Sequence, residues 1–459
     1  MNELYMNSTG EMFTVAYGVF QPVDSTALAP QAQQLANALG ADPYQSYFKK
    51  PFRMVAYGKG DRFYGEFPMT PGDFNPGSVF DACAAVRRYV RDGEVSWPRL
   101  YLYPTSVCDS HCALCQFHDR HSEATALAPD QAEIILGALR EHSDGVHAQT
   151  LIISGDGEPA TWPSLPELLG AAGEAGLRVY LTTNLRKPFT RHQRLYEAMA
   201  KDCAMITVSV KGLSGAEYAR QQGVSSDEEF ERVISNLEQL ISLRREYGRQ
   251  ADCLIGVASL ILPGNAPYYA AMIERLHAMG VDYFHVNQVE PSLDHWGIGF
   301  TTEERAQIAG QFGEYAKNPH TDMTVRCPGD PFEQAHGDTV YFDAAKLRLH
   351  PGVCGSALFN PLVLSAGGQA RWLSCRNSDL FADPAYSFTP GVASSVAGMM
   401  QAAAGCHKCR LERQVKHFDK IIDIEMMHRH DDLDFYLVFD LDALLAHDQC
   451  VTHFENVLR

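Results

Sequence analysis

The chain has 459 residues, with 38 basic and 56 acidic side chains and a formal net charge of −18. Its 46% hydrophobic and 20% charged residues are ordinary for a globular protein of about two or three domains, so neither disulfide nor metal is needed simply to fold it. The acidic surplus argues against nucleic acid and against an anionic membrane surface as partners, since both are held mainly by Lys and Arg.

Residues 1–97 predict a small α+β extension. Runs at 12–20 and 52–67 are rich in Val, Tyr and Phe and broken by Gly, as strands are, while 31–39 and 79–90 carry the apolar spacing of amphipathic helices. Pro30 suits the first turn of the earlier helix. Across 98–320 the rhythm changes. Short apolar runs at 100–103, 150–154, 178–183, 204–210, 254–262 and 283–289 alternate with helical patterns near 129–142, 163–175, 191–200, 226–247, 266–279 and 302–317. Strand–helix pairs in succession imply parallel strands joined by right-handed crossovers. Six such pairs are too few for an eight-fold barrel and suit an α/β fold, a partial (β/α)6 TIM-like barrel, with its chemistry at the C-terminal strand ends. After about residue 320 the rhythm stops. Residues 321–415 hold clustered cysteines and a hairpin-like stretch at 361–373, which reads as a small metal-organised domain, and 416–459 reads as a helix-and-strand tail with a strand at 435–441.

No apolar run approaches the roughly 18 residues of a membrane span. The opening Met-Asn-Glu-Leu-Tyr-Met lacks a basic segment followed by an apolar one, so the expected compartment is the cytoplasm. There the 12 cysteines are expected as metal ligands or core thiols, not disulfides. Cys83, Cys203, Cys253 and Cys450 stand alone in apolar or amphipathic surroundings and read as core. Cys108, Cys112 and Cys115 form a CxxxCxxC triad just after the first barrel strand. A structural zinc wants four ligands, which His111 or His118 would complete; a cuboidal iron–sulfur cluster on three thiols keeps one iron open for another ligand. Cys354, Cys375, Cys406 and Cys409 make a second set of four, again suited to a cluster or to zinc, with Cys327 as a spare.

A CxxxCxxC loop after the first strand of a six-pair partial barrel resembles the radical S-adenosylmethionine (radical SAM) enzymes. Ser-Gly-Asp-Gly-Glu-Pro at 154–159 is similar to that family's Gly-Gly-Glu-Pro turn, and the resemblance assigns Gly155, Asp156, Gly157 and Glu158 to the amino group of SAM. Thr183 and Asn184 after the third strand fall where many members carry such residues, and Ser209 and Lys211 after the fourth fall where the family contacts the ribose or carboxylate. The residue before the third cysteine, usually aromatic and lying over adenine, is Leu114 here, which leaves Phe117 or backbone groups to cover the ring. The later cysteines resemble the twitch or SPASM modules of the family: Cys354, a hairpin with Gly367 and Gly368, Cys375, then Cys406 and Cys409 stand in the order of one auxiliary [4Fe–4S] cluster.

The resemblance implies a mechanism. Cys108, Cys112 and Cys115 hold a [4Fe–4S] cluster, S-adenosyl-L-methionine chelates its open iron, and one electron from a flavodoxin- or ferredoxin-type donor cleaves SAM to methionine and a 5′-deoxyadenosyl radical. That radical abstracts hydrogen from an unactivated carbon, with the auxiliary cluster assisting oxidation or dehydration. The expected substrate is a small molecule such as a sugar or aminocyclitol natural product, because residues 1–97 do not read as the strand-strand-strand-helix of a peptide-binding domain. A peptide-modifying enzyme remains open, as does an iron–sulfur or zinc regulatory protein. Asn287, Gln288 and Glu290 after the sixth strand, and Asn265 after the fifth, are candidate substrate-facing residues, with a cap or turn role equally open for each.

Overall fold

The computed structural model describes residues 3–7, 11–16, 19–23, 53–58, 62–68, 99–115, 125–128, 150–155, 157–287, 299–317, 320, 322–326, 362–365, 370–372 and 434–440. The helices expected at 31–39, 79–90 and 129–142 lie outside these residues. So do Cys83, Cys450, Cys327, Phe117, His118, Asp156, Gln288, Glu290 and the four later cysteines.

The N-terminal segment contributes strands β1 (Glu3–Met6), β2 (Met12–Ala16), β3 (Val19–Pro22), β4 (Arg53–Gly58) and β5 (Arg62–Pro68). The strand–helix alternation then follows as β6 (Arg99–Tyr103), β7 (Thr150–Ile153), β8 (Arg178–Thr183), β9 (Cys203–Ser209), β10 (Leu254–Leu260), β11 (Tyr283–Asn287) and β12 (Thr324–Arg326). Each of these pairs in parallel with the next in the chain. Between β7 and β8 runs α1 (Leu165–Glu174), and between β8 and β9 runs α2 (Gln193–Asp202). The β9–β10 crossover holds α3 (Gly215–Gln222) and α4 (Glu228–Glu246); α5 (Tyr269–Met279) and α6 (Thr302–Lys317) follow β10 and β11. A hairpin, β13 (Leu362–Ser365) and β14 (Ala370–Trp372), adds to the other edge, with β13 parallel to β6. Among the described residues the sheet therefore runs β12-β11-β10-β9-β8-β7-β6-β13-β14 without closing, an open α/β partial barrel.

Two elements differ from the sequence expectation. Strand β12 is a further parallel strand, and its three residues are too short for a period-two pattern to register. Helix α3 is also additional: in Gly-Ala-Glu-Tyr-Ala-Arg-Gln-Gln the only large apolar side chain is Tyr218, so no apolar stripe marks it. Its ends are nonetheless well specified. The Ser214 hydroxyl accepts from Glu217 N, the start of a Ser-x-x-Glu cap, and Gly223 ends the helix in the left-handed region at φ 61°.

The sheet's faces follow from alternation. In β8, Val179, Leu181 and Thr183 are buried while the residues between are half-exposed. The buried row continues through Ile206 and Val208, Ile255 and Val257, then Phe284 and Val286. Onto it pack helix faces such as Phe230, Val233, Ile234, Leu237, Leu240 and Ile241 of α4, at the spacing of one helical stripe. Each such side chain contributes roughly 1.5–3 kcal/mol on burial. The opposite face carries polar groups: Thr182, Thr207, Gly256 and Tyr283 stand in one register row. The Tyr283 hydroxyl crosses to Thr207 Oγ1 at 2.7 Å, over Gly256, where a Cβ would collide with the tyrosine ring. Ser209, Ala258 and His285 form the next row toward the C-terminal strand ends.

The second sheet joins the two ends of the chain. The tail strand β15 (Asp434–Asp440) lies between β1 and β4 in the antiparallel order β3-β2-β1-β15-β4-β5. Val438 is buried against Tyr5, and Phe13, Val15, Phe20 and Tyr436 pack around them, the Phe20 and Tyr436 rings stacking at 4.3 Å. The run at 12–20, expected as one strand, contains β2 and the start of β3, and with β1 gives three consecutive antiparallel strands. No helix among the described residues is long and apolar enough to cross a membrane. Because β15 is interior to this sheet, Val438→Asp places an unpaired charge in its core. The variant is expected to lose the N-terminal strands to limited proteolysis while fragments beginning near β6 persist. Equal protease resistance of the two proteins would contradict a central β15.

Candidate active site

After β6 the chain leaves the sheet through Thr105 and Ser106, which are pinned to the 125–128 segment. Ser106 N donates to Thr125 O and Thr125 N to Ser106 Oγ, both at 2.9 Å. The next residues form the cysteine loop, and the turn after β7 packs directly on it. Glu158 N donates to Val107 O at 2.9 Å. Gly155, at φ 129°, leaves room for the Tyr103 ring, and a Cβ on Gly157 would strike the Val107 carbonyl. These two glycines are thus required by the close approach of turn and loop, whatever else their amides bind.

Glu158 is fully buried, and both of its oxygens are engaged by its own chain. Oε1 accepts from Ala160 N (2.9 Å) and Thr183 Oγ1 (2.5 Å), and Oε2 accepts from Asn184 N (2.6 Å). Burial pushes its pKa up to about 7, outweighing the three donors that favour the charged form. The Asn184 side chain then turns to the cysteine loop, donating to Asp109 Oδ1 (2.7 Å) and Ser110 Oγ (3.1 Å). Leu185 takes a left-handed conformation at φ 54°, held by its N–H to Thr183 Oγ1 and by Asn236 Nδ2 on its carbonyl. Such a conformation costs a non-glycine residue about 1–2 kcal/mol. It directs Arg186 to the Asp109 carbonyl on one side and to Glu229 of α4 on the other, at 3.0 Å.

The far side of the loop rests on the end of α3. His111 N donates to Gln222 O (2.9 Å) and Ala113 N to Gln221 O (3.0 Å), while Gly223 meets the His111 carbonyl where no Cβ would fit. The Cys112 thiol donates to Gln222 Oε1 at 3.2 Å. Lys211, just beyond β9, brings its ammonium to the Leu114 carbonyl at 3.5 Å. Burial pushes the Cys108 thiol up to about 12. Cys112 is also raised by burial, with the nearby Lys211 charge pulling in the opposite direction.

The structure therefore brings Cys108, Cys112, Cys115, Gly155, Gly157, Glu158, Thr183, Asn184 and Lys211 together at one end of the parallel strands. Ser209 sits half-exposed at the end of β9, in register with Ala258. Asn265 does not face a substrate space. It is wholly buried and braces the loop after β9, accepting from Leu213 N and donating to Lys211 O, the turn role left open above. Asn287 is exposed at the end of β11. Cys203 and Cys253 are buried thiols, as their apolar settings suggest. Sequence reasoning missed Arg186, Gln221, Gln222 and His285. Only the Ser-x-x-Glu cap and Gly223 around α3 offered a signal for any of them.

Free thiols are soft donors suited to an iron–sulfur cluster or to zinc. A single zinc needs its ligands to converge about 2.3 Å from one point. Among the described residues, no three His, Cys, Asp or Glu side chains do so. A cluster takes its thiolates on separate irons, and three half-buried cysteines, none in a disulfide and spread over one loop, fit that demand.

No family model matches the chain, and no curated protein matches it. Among solved structures it is similar to Streptococcus suis SuiB bound to S-adenosylmethionine, at 16% identity over 77% of this chain and 83% of that one, TM-score 0.47. SuiB bound to precursor peptide SuiA is 13% identical over 92% and 98%, TM-score 0.46. Native anSMEcpe with bound AdoMet and the Kp18Cys peptide is 10% identical over 71% and 86%, TM-score 0.46.

Two tests of this geometry use the metal-free protein. Glu158 titrates near 7 when folded against 4.5 in its ordinary state, so its contribution to stability is fully present below pH 4.5 and is lost as pH rises through 7. Denaturant unfolding between pH 4.5 and 8 should therefore show wild type losing stability relative to Glu158→Gln; parallel pH profiles would contradict a buried, raised carboxyl. Gly223→Ala should push the loop away from α3, so that Cys112 reacts faster with a thiol reagent. An unchanged labelling rate would show that the glycine contact does not hold the loop.

Proposed function

We propose that this chain is a radical SAM enzyme. The observation that carries the reading is the loop of three half-buried cysteines outside any disulfide, Cys108, Cys112 and Cys115. It follows the first parallel strand and packs on the Gly-Asp-Gly-Glu-Pro turn after the second. In this reading the three thiolates hold a [4Fe–4S] cluster, and SAM binds beside the exposed groups at the same strand ends. When bound, the cluster supplies the electron that cleaves SAM, and the resulting 5′-deoxyadenosyl radical takes hydrogen from carbon.

The chain's own residues bind, orient and shield. Lys211 offers a positive charge near Cys112 and is suited both to the thiolate and to the carboxylate of SAM. Glu158, committed to Thr183, Asn184 and Ala160, holds the turn in place and leaves backbone groups of 155–157 to meet an amino group. Thr183 and Asn184 likewise act mainly by fixing that carboxylate and the loop. Ser209 and His285, which share one register row on the polar face, are proposed to meet ribose or substrate. Asp156 and Phe117 are proposed at the cofactor. Cys354, Cys375, Cys406 and Cys409 are proposed for the auxiliary [4Fe–4S] cluster, with oxidation or dehydration as the reaction type it assists. The electron donor is proposed to be a flavodoxin- or ferredoxin-type protein.

For the substrate, a small molecule such as a sugar or aminocyclitol is one reading. The second, a peptide, is favoured by β1–β3, three consecutive antiparallel strands in a segment whose sequence does not read as strand-strand-strand-helix. Strand β3 is an edge of its sheet and largely exposed, a place where an extended peptide can add as a strand.

The function is tested by anaerobic reconstitution with iron and sulfide, then SAM and dithionite, with 5′-deoxyadenosine quantified by chromatography. Wild type should form it and Cys112→Ala should not. Zinc without iron, together with no product from either protein, would overturn the reading.

A further inference from the structure

The last turn of α3 presents one side chain to the cysteine loop, and its surroundings are only half satisfied. Gln222 is 1% exposed, and its amide oxygen faces the Cys112 sulfur. Four residues earlier, on the same helix face, Tyr218 is wholly buried with its hydroxyl beside the same amide. That hydroxyl has no hydrogen-bond partner among the described residues. A buried hydroxyl without an acceptor is rarely retained by a fold, so one polar group here is waiting for another arrangement.

The present orientation suits a thiol, since S–H donates and the amide oxygen accepts. It does not suit a thiolate. A sulfur bound to iron has no hydrogen to give, and it would face the negative end of the amide. Turning the amide by half a rotation about its last side-chain bond exchanges two ends of nearly equal size. The Nε2–H then points at sulfur, and Oε1 accepts from the Tyr218 hydroxyl. Both buried groups are satisfied, with no movement of backbone.

We propose that Gln222 is a positioning residue for the cluster: with the Cys112 sulfur ligating iron, its amide donates an N–H···S hydrogen bond to that sulfur, and the Tyr218 hydroxyl holds the amide in this orientation. The proposal rests on the cluster reading above and adds to it a residue outside the cysteine motif. A hydrogen bond to a ligand sulfur stabilises the extra negative charge of the reduced cluster and so raises its reduction potential.

The test is a redox titration followed by electron paramagnetic resonance. Wild type, Gln222→Leu, Gln222→Glu and Tyr218→Phe are reconstituted, their iron and sulfide are counted, and the signal that changes on adding SAM is the one titrated. Gln222→Leu is expected to shift the midpoint to more negative potential by a tenfold change in the reduction equilibrium, about 59 mV for one electron. Gln222→Glu should shift it further the same way, because a carboxylate cannot donate to sulfur and adds charge. Tyr218→Phe should give a smaller shift of the same sign. A Gln222→Leu protein with wild-type iron content and an unchanged midpoint overturns the proposal. If Gln222→Leu holds no cluster, the near-isosteric Gln222→Glu decides, and an unchanged midpoint there overturns it equally. Folded wild type that takes up neither iron nor sulfide would instead overturn the cluster reading itself, a result distinct from any change among the variants.

Discussion

A carboxylate with no access to water lies between the ends of the second and third parallel strands, and much of the site is built outward from it. Glu158 caps the short turn that follows it, receives the Thr183 hydroxyl, and receives the Asn184 amide. Burial alone would favour the neutral acid, and the three donors pull toward the anion, so the group sits near neutrality between the two. Its position sets Asn184, and Asn184 in turn grips Asp109 and Ser110 inside the cysteine loop. A residue that the family resemblance assigns to cofactor binding thus also organises the chain around the site.

The loop itself is held chiefly by backbone contacts, which explains where the glycines fall. Val107 O accepts from Glu158 N, and the amides of His111 and Ala113 donate to carbonyls at the end of α3. Backbones this close leave no room for a Cβ at Gly157 or Gly223. Arg186 adds a charged strut from α4 to the Asp109 carbonyl, reached through the left-handed Leu185, where strain is offset by Asn236 and Thr183. In the proposed reading three thiols meet a bulky anionic group without rearrangement, and a ligand set is only as well placed as the groups behind it.

The same logic separates what was readable from what was not. The order and type of the barrel elements were visible because alternation and helical spacing are local patterns: 178–183 and 302–317 coincide with β8 and α6. The cysteine loop and the glycine turn were visible because their residue types are unusual at that spacing. Helix α3 was not, since its one buried face is made of Tyr218, Gln221 and Gln222 and carries no apolar stripe. The resemblance assigned Lys211 to the cofactor, but nothing in its neighbourhood along the chain shows that it also approaches Cys112.

By itself the sequence determined a run of parallel strand–helix units with a cysteine triad after the first and a glycine turn after the second, because these features act within a few residues. Tertiary structure alone decided that the tail strand β15 completes the sheet begun by β1, and that Gln222 meets Cys112 from 110 positions away. It also decided that Glu158 faces inward to Thr183 and Asn184. Those pairings depend on which surfaces fit once the chain has closed on itself, and local periodicity does not encode them.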